Sequence, residues 1–188
     1  MNEQIFTTLP EEPVPEYAVG CSRCELCKQR KRIIWGEGHP GAPIIVLLDN
    51  PGAKEDNTGA PFVCGTRQTL LSLAYEAGIN YEQLYITYVV KCRPVRSYNK
   101  KQARVTCMEY FYSQVNRHEY QVLLCLGNVA LQTLLNDDTA EVKNYRGHWN
   151  TWNGLRMATS YHPLAVRRRP NLFTHAILDW RMVSKNIQ

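Results

Sequence analysis

The sequence predicts an α/β fold, a three-layer α/β/α sandwich around a four-stranded, mainly parallel sheet, and three observations carry that expectation. Short runs rich in apolar and β-branched residues recur at 43–48, 84–90, 121–126 and 155–161. Longer segments with apolar residues at helical spacing separate them, and Gly or Pro punctuates the joins. Strand and helix therefore alternate four times, the pattern of parallel strands flanked by helices on both faces.

Each element has its own local reason. Pro43 to Leu48 is continuously apolar, which fits a strand buried on both faces rather than one with a wet side. Thr66 to Ala77 carries Leu70, Leu71 and Leu73 at helical spacing and is closed by Gly78. Leu84 to Val90 is rich in β-formers and is followed by Pro94, so it reads as the second strand. Val105 to His118 reads as a helix, Gln121 to Leu126 as a strand, and Asn128 to Leu135 as a helix opening just after Gly127. Tyr145 to Asn153 reads as a hairpin or irregular excursion, Leu155 to Tyr161 as the fourth core strand, and Leu172 to Ile187 as the closing helix. In such a sheet, ligands bind beyond the carboxyl ends of the strands.

Composition narrows the function classes. A chain of 188 residues with 44% apolar content supports one core, read as a single domain over 21–188 after an N-terminal extension at 1–20. No apolar run reaches membrane-spanning length, and Met1 to Pro15 is acidic and proline-containing rather than signal-like, so a cytoplasmic protein is expected; a monomer is expected as well. The formal charge of +5 points to a polyanionic partner. Basic residues cluster at Lys28 to Arg32, at Lys91, Arg93, Arg96, Lys100, Lys101 and Arg104, and at Arg167, Arg168 and Arg169. Charge runs are usually solvated faces, but each of these adjoins a segment with chemistry of its own.

Seven cysteines are one source of that chemistry. Cys21 and Cys24 form a C-x2-C pair, Cys24 and Cys27 a rival one, and Cys92 and Cys107 lie fifteen positions apart. Paired thiols in a reducing compartment suit a metal or an iron–sulfur cluster better than disulfides. Spacing alone separates neither zinc from a cluster nor one C-x2-C pair from the other. Cys125, inside an apolar strand, reads as a small buried hydrophobe, and Cys64 as a packed thiol near the site.

The other source lies at two strand ends. Asp49-Asn50-Pro51-Gly52 follows the first strand, and Ser160-Tyr161-His162-Pro163 follows the fourth. Asn, Pro and Gly are ordinary turn formers, and a lone His after a strand is commonly structural. The fold brings both segments to one sheet edge. There, Asn50 or Asp49 to place a water, His162 to stabilise a departing anion, Phe62 as an aromatic platform and basic flanks form a set suited to cutting a base from DNA. Enzymes of that kind flip the nucleotide out of the duplex and grip the base by stacking and hydrogen bonds.

Cys21-x2-Cys24, Gly36-Glu37-Gly38, Pro51-Gly52-x2-Glu55-Asp56-x2-Gly59-x-Pro61-Phe62-Val63, Tyr85-Ile86-Thr87, Val89 to Pro94, Cys107, Leu126-Gly127, Arg146-Gly147 and Tyr161-His162-Pro163 occur in this order. In these motifs the chain resembles the iron–sulfur (family 4) branch of the uracil-DNA glycosylase superfamily over about residues 21–183. The resemblance implies a 4Fe-4S cluster on Cys21, Cys24, Cys92 and Cys107. It also implies stacking by Phe62 and a leaving-group role for His162, whose loop would approach the minor groove. Asn50, Asp49 and His162 are the expected catalytic residues. Phe62, Tyr88 and Gly52 are expected to bind the base, and Lys91, Arg93 and Arg167 to Arg169 the DNA.

The departures from the family pattern bear on substrate. The usual Gly-Glu-Ala-Pro-Gly is Leu48-Asp49-Asn50-Pro51-Gly52, so the carboxylate is one methylene shorter, and Asn50 resembles the water-positioning residue of the mismatch-specific branch. Tyr88 stands where an Asn ordinarily reads uracil, replacing an amide that donates and accepts with one hydroxyl on a rigid ring. The usual Val-Gly-x-Ala-Gly becomes Val63-Cys64-Gly65-Thr66-Arg67. The expectation is a monofunctional DNA glycosylase acting on a modified pyrimidine, 5-substituted like the hydroxymethylated or glucosylated bases found in phage DNA, in a defence role. The alternatives are ordinary uracil repair, a non-catalytic cluster-bearing DNA-binding module, and a zinc-ribbon protein.

Overall fold

In the computed structural model, residues 8–57 and 65–187 are described. The four expected strands form the centre of the sheet. They are β3 (Ile44–Leu48), β4 (Leu84–Tyr88), β5 (Val122–Leu126) and β7 (Leu155–Ser160), mutually parallel in the order β4-β3-β5-β7. The sheet is wider than the four strands predicted. β1 (Glu11–Glu12) pairs antiparallel with β2 (Gly36–Gly38), β2 with β4, and β6 (Asn150–Trp152) forms a hairpin with β7, giving seven strands. These additions are two or three residues long, too short to show alternation in the sequence. Part of the predicted N-terminal extension thus supplies an edge strand, with Leu9 and Ala18 buried beside it.

Alternation of side chains across the pleat divides the core in two. Ile45, Leu47, Tyr85, Leu123, Cys125 and Met157 face one layer, where α3 (Lys100–Arg117) and α4 (Asn128–Leu135) pack through Ala103, Met108, Phe111, Ala130 and Leu131. Ile44, Val46, Leu48, Ile86, Tyr88, Val122 and Leu124 face the other, against α2 (Gly65–Glu76) and α7 (Phe173–Ser184) through Leu70, Leu73, Ala176 and Trp180. Every residue of β3, β4 and β5 is buried, which is why these strands read as unbroken apolar runs. Short helices α1 (Ala53–Asn57), α5 (Val142–Tyr145) and α6 (Pro163–Arg168) complete the chain, and α6 carries the arginine run. Helix α3 begins five residues before the predicted start, capped by the Asn99 side chain on the Gln102 N–H, so Cys107 sits in its second turn.

Two glycines are dictated by close approach. A Cβ on Gly38, whose φ is +105°, would lie 2.2 Å from the Leu84 carbonyl oxygen, so β2 could not pair with β4. A Cβ on Gly127, at φ +93° after β5, would lie 2.9 Å from His162 Cβ. Gly127 thereby leaves room for His162 to cross the end of β5 towards β3.

Candidate active site

His162 and Asp49 meet at the carboxyl ends of β7 and β3. His162 caps the N-terminus of α6: its Nδ1 accepts a hydrogen bond from the Leu164 backbone N–H at 3.1 Å, and Pro163 pre-sets the first helical turn. With Nδ1 committed as an acceptor, the ring proton belongs on Nε2, which lies 3.2 Å from Asp49 Oδ1. Burial works against the charge on Asp49, but the His162 hydrogen bond and the Asn50 backbone N–H, 2.8 Å from Oδ1, outweigh it and hold the carboxyl below its usual range. The Asn50 side chain is oriented too. Its Nδ2 donates to the Pro51 carbonyl at 2.9 Å, which leaves Oδ1 as the acceptor.

These residues line one cavity of about 140 Å³, together with Gly52, Glu55, Arg67, Tyr88 and Leu164. A cavity of about 150 Å³ holds a benzene ring, so the space suits a single six-membered ring. Gly52 makes part of it: a Cβ there would lie 2.6 Å from Glu55 Oε2. Tyr88 forms the floor but does not offer its hydroxyl freely. The hydroxyl donates to Glu37 Oε1 at 2.8 Å and accepts from Arg67 Nη2 at 2.7 Å, while Arg67 Nη2 also pairs with Glu37. Arg67 is 5% exposed, and although burial opposes its charge, Glu37, Tyr88 and Glu55 overcome that and keep it a cation. Arg67, Glu37 and Glu55 were absent from the predicted site. The signal for Arg67 was its place in the altered 63–67 loop, whereas its pairing with Tyr88 and Glu37 joins α2, β4 and β2 and has no local trace.

Phe62 and Cys64, expected beside the base, lie outside the described residues. On the outer rim, Asp49 and Asn50 also border a second depression of about 250 Å³, flanked by Tyr98, Lys100 and Arg104. Arg167, Arg168 and Arg169 are exposed at the end of α6, and Arg93 is half-buried. The Arg167 guanidinium lies over Gly65, where a Cβ would come within 2.1 Å of Nη1. Lys91 corrects the sequence reading. It is 1% exposed, and its ammonium donates to Thr87 Oγ1, to the Tyr88 carbonyl at 3.0 Å and to Gln114 Oε1 at 2.6 Å, so it faces the core rather than a phosphate. Burial lowers its pKa to about 7.

A cysteine centre lies on the α3 side of the sheet. Cys92 and Cys107 are buried in that core, and Cys21 and Cys24 pack against it. Cys92 is within electrostatic reach of Cys107 and Cys24, and Cys107 of Cys24 and Cys21. Arg30 ties the two segments, donating from Nη1 to Cys92 Sγ at 3.6 Å and from Nη2 to the Cys21 carbonyl at 2.7 Å. The Lys91 backbone N–H points at Cys107 Sγ at 3.3 Å. Burial pushes the Cys92 thiol up to about 12. Among the described residues no three His, Cys, Asp or Glu side chains stand close enough to grip a single metal ion. A four-iron cluster takes one thiolate on each iron, so its ligands stand further apart. Four neighbouring cysteines, two with N–H donors aimed at their sulfurs, suit such a group. Cys125 is fully buried in β5, as a small hydrophobe would be.

A seven-stranded α/β/α fold with a polar, ring-sized cavity across the carboxyl ends of its central strands defines a ligand-binding crevice of the open-sheet type. The profile of the uracil-DNA glycosylase superfamily matches residues 35–181, and the chain belongs to that superfamily. It is 30% identical over 171 residues to the type-4 uracil-DNA glycosylase of Thermotoga maritima, covering 89% of each protein. Over 175 residues it is 29% identical to the corresponding protein of Archaeoglobus fulgidus, covering 89% of this chain and 88% of the relative. With that of Sulfurisphaera tokodaii it shares 28% identity over 170 residues. No helix among the described residues is long and apolar enough to cross a membrane.

Proposed function

We propose that this protein is a monofunctional DNA glycosylase that hydrolyses the N-glycosidic bond of a flipped-out pyrimidine and leaves an abasic site. The observation that carries the reading is the Asp49–His162 pair beside Asn50 at the mouth of a cavity sized for one ring. Bond cleavage builds positive charge on the sugar and negative charge on the departing base. His162 would exchange Asp49 for the base O2 and donate from Nε2, stabilising the leaving anion. Asn50 Oδ1 would accept a hydrogen bond from the attacking water and aim it at the anomeric carbon, a positioning role rather than that of a base. Ionised Asp49 would favour the cationic sugar from the same side. The names of the relatives, all type-4 uracil-DNA glycosylases, support the reaction class.

Cys21, Cys24, Cys92 and Cys107 would hold a 4Fe-4S cluster, which when bound supplies a cross-link between the N-terminal segment and the 92–107 segment. Arg167, Arg168, Arg169 and Arg93 would contact phosphates. The finer substrate reading is a 5-substituted pyrimidine, as in hydroxymethylated or glucosylated phage DNA, which would give the enzyme a defence role. Its support is that both hydrogen-bonding capacities of the Tyr88 hydroxyl are spent on Arg67 and Glu37 rather than turned to the base edge. A single-turnover panel of single- and double-stranded oligonucleotides carrying uracil, mismatched thymine, 5-hydroxymethyl bases and glucosylated bases tests both levels. Faster release of a 5-substituted base than of uracil is expected. Faster uracil release than any other would leave an ordinary repair enzyme, and no release at all would leave a DNA-binding module.

A further inference from the structure

Arg67 occupies a place in the cavity that the reaction itself does not use. In the sheet, β4 lies beside β3 and β7 two strands further on, and His162 reaches from the end of β7 to Asp49 at the end of β3. His162 enters the cavity from the β7 side, and Arg67 stands on the β4 side against Tyr88. A pyrimidine held with its O2 at His162 therefore turns its opposite edge, C4 and C5 with their substituents, towards Arg67.

The guanidinium is fixed before any base arrives. Its hydrogen bonds to the Tyr88 hydroxyl and to Glu37 both leave from Nη2, so neither commits Nη1 or Nε. Arginine offers donors and no acceptor and stays charged, so what it presents to a base is a rigid donor edge. An amide in the Tyr88 position could meet a donor or an acceptor; Arg67 meets only an acceptor.

We infer that Arg67 is the specificity-determining residue of this cavity, donating to an acceptor oxygen on the C4–C5 side of the bound pyrimidine. The inference rests on the glycosylase reading and adds what the site selects. Two groups supply that chemistry, the 4-carbonyl of a uracil ring and the oxygen of a 5-oxymethyl substituent. Unsubstituted cytosine has neither and turns its 4-amino donor towards Arg67, so the commonest wrong base in DNA is rejected by an unpaired donor against a donor.

The test is single-turnover kcat/KM for wild type, Arg67→Gln and Arg67→Lys on otherwise identical oligonucleotides carrying cytosine, uracil, 5-hydroxymethylcytosine or 5-hydroxymethyluracil. Affinity for an abasic duplex and thermal melting serve as folding controls. Arg67→Lys keeps a cation opposite Glu37 if the Gln variant is unstable. Wild type should spare cytosine, and the variants should lose about tenfold to a hundredfold on bases that carry the oxygen being read. Loss on uracil and 5-hydroxymethyluracil with 5-hydroxymethylcytosine spared identifies the 4-carbonyl. Loss on both 5-hydroxymethyl bases with uracil spared identifies the substituent. Equal effects on every released base, or none, overturn the role of Arg67 while leaving the glycosylase reading intact. A wild-type enzyme that releases none of the bases in this or the wider panel overturns both.

Discussion

His162 Nε2 sits 3.2 Å from Asp49 Oδ1 because the other ring nitrogen is held by the Leu164 N–H. A residue that ends β7 is thereby aimed at one that ends β3, across the gap left by Gly127. The pair is a ready-made donor and its anionic holder, and both should be needed for base release.

His162→Ala is expected to reduce the single-turnover rate about a hundredfold to a thousandfold with little change in affinity for an abasic duplex, since its contact strengthens in the transition state. Asn50→Ala should behave similarly. Rapid-quench measurement on the best substrate of the panel checks both, and a rise in KM alone would remove either from the chemistry.

Asp49 links this site to acid stability. Its folded-state pKa is depressed, so the ionised form contributes stability at pH values above the unfolded value of about 3.9, and that contribution disappears as pH falls through the lower folded pKa. Urea denaturation of wild type and Asp49→Asn should differ at neutral pH and converge on acidification below pH 4. In His162→Ala the contribution lost on acidification should be smaller, because the partner that opposes desolvation is gone and the folded-state pKa moves up towards the unfolded value.

Anaerobically purified protein should be brown and carry about four irons per chain. Cys21→Ser, Cys24→Ser, Cys92→Ser and Cys107→Ser should each lose the iron along with folded protein, whereas Cys27→Ser and Cys125→Ser should keep it. Iron assay and visible absorbance decide the matter, and stoichiometric zinc without iron would exclude the cluster.

The arginine run and Lys91 should separate cleanly. Changing Arg167, Arg168 and Arg169 to Ala should weaken DNA binding and reduce the slope of log K against log salt by up to about 2.7, at roughly 0.9 for each lost phosphate contact. Lys91→Met should leave that slope unchanged and alter thermal stability instead, since its ammonium is bonded inside the core. Fluorescence anisotropy across a salt series reads the first, and calorimetry the second.

A fifth expectation concerns the support behind His162. Asp179, fully buried on α7, accepts from Arg146 Nε at 3.0 Å, Arg146 Nη2 at 2.8 Å and Ser160 Oγ at 2.8 Å, fastening the end of β7. Asp179→Ala leaves the Arg146 guanidinium without its carboxylate and should cost about 3 kcal/mol in denaturant titration.

The sequence by itself determined the layers of this protein and the ends at which its chemistry sits. Strands buried on both faces leave continuous apolar runs, and the polar residues that interrupt them mark the crevice, so Asp49, Asn50 and His162 were visible as neighbours before any coordinates. The four cysteines were visible as candidates, and the motif resemblance chose among them. What only the tertiary structure decided was which polar groups are spent on one another. Lys91 reads as a surface cation in a basic stretch, yet the turn after β4 points it inward to Gln114, a residue of α3. Tyr88 reads as a base contact, yet its hydroxyl is divided between Arg67 on α2 and Glu37 on β2, a strand only three residues long. Such assignments depend on side chains from elements distant in sequence meeting at one point, and neither periodicity nor motif spacing records where those elements meet.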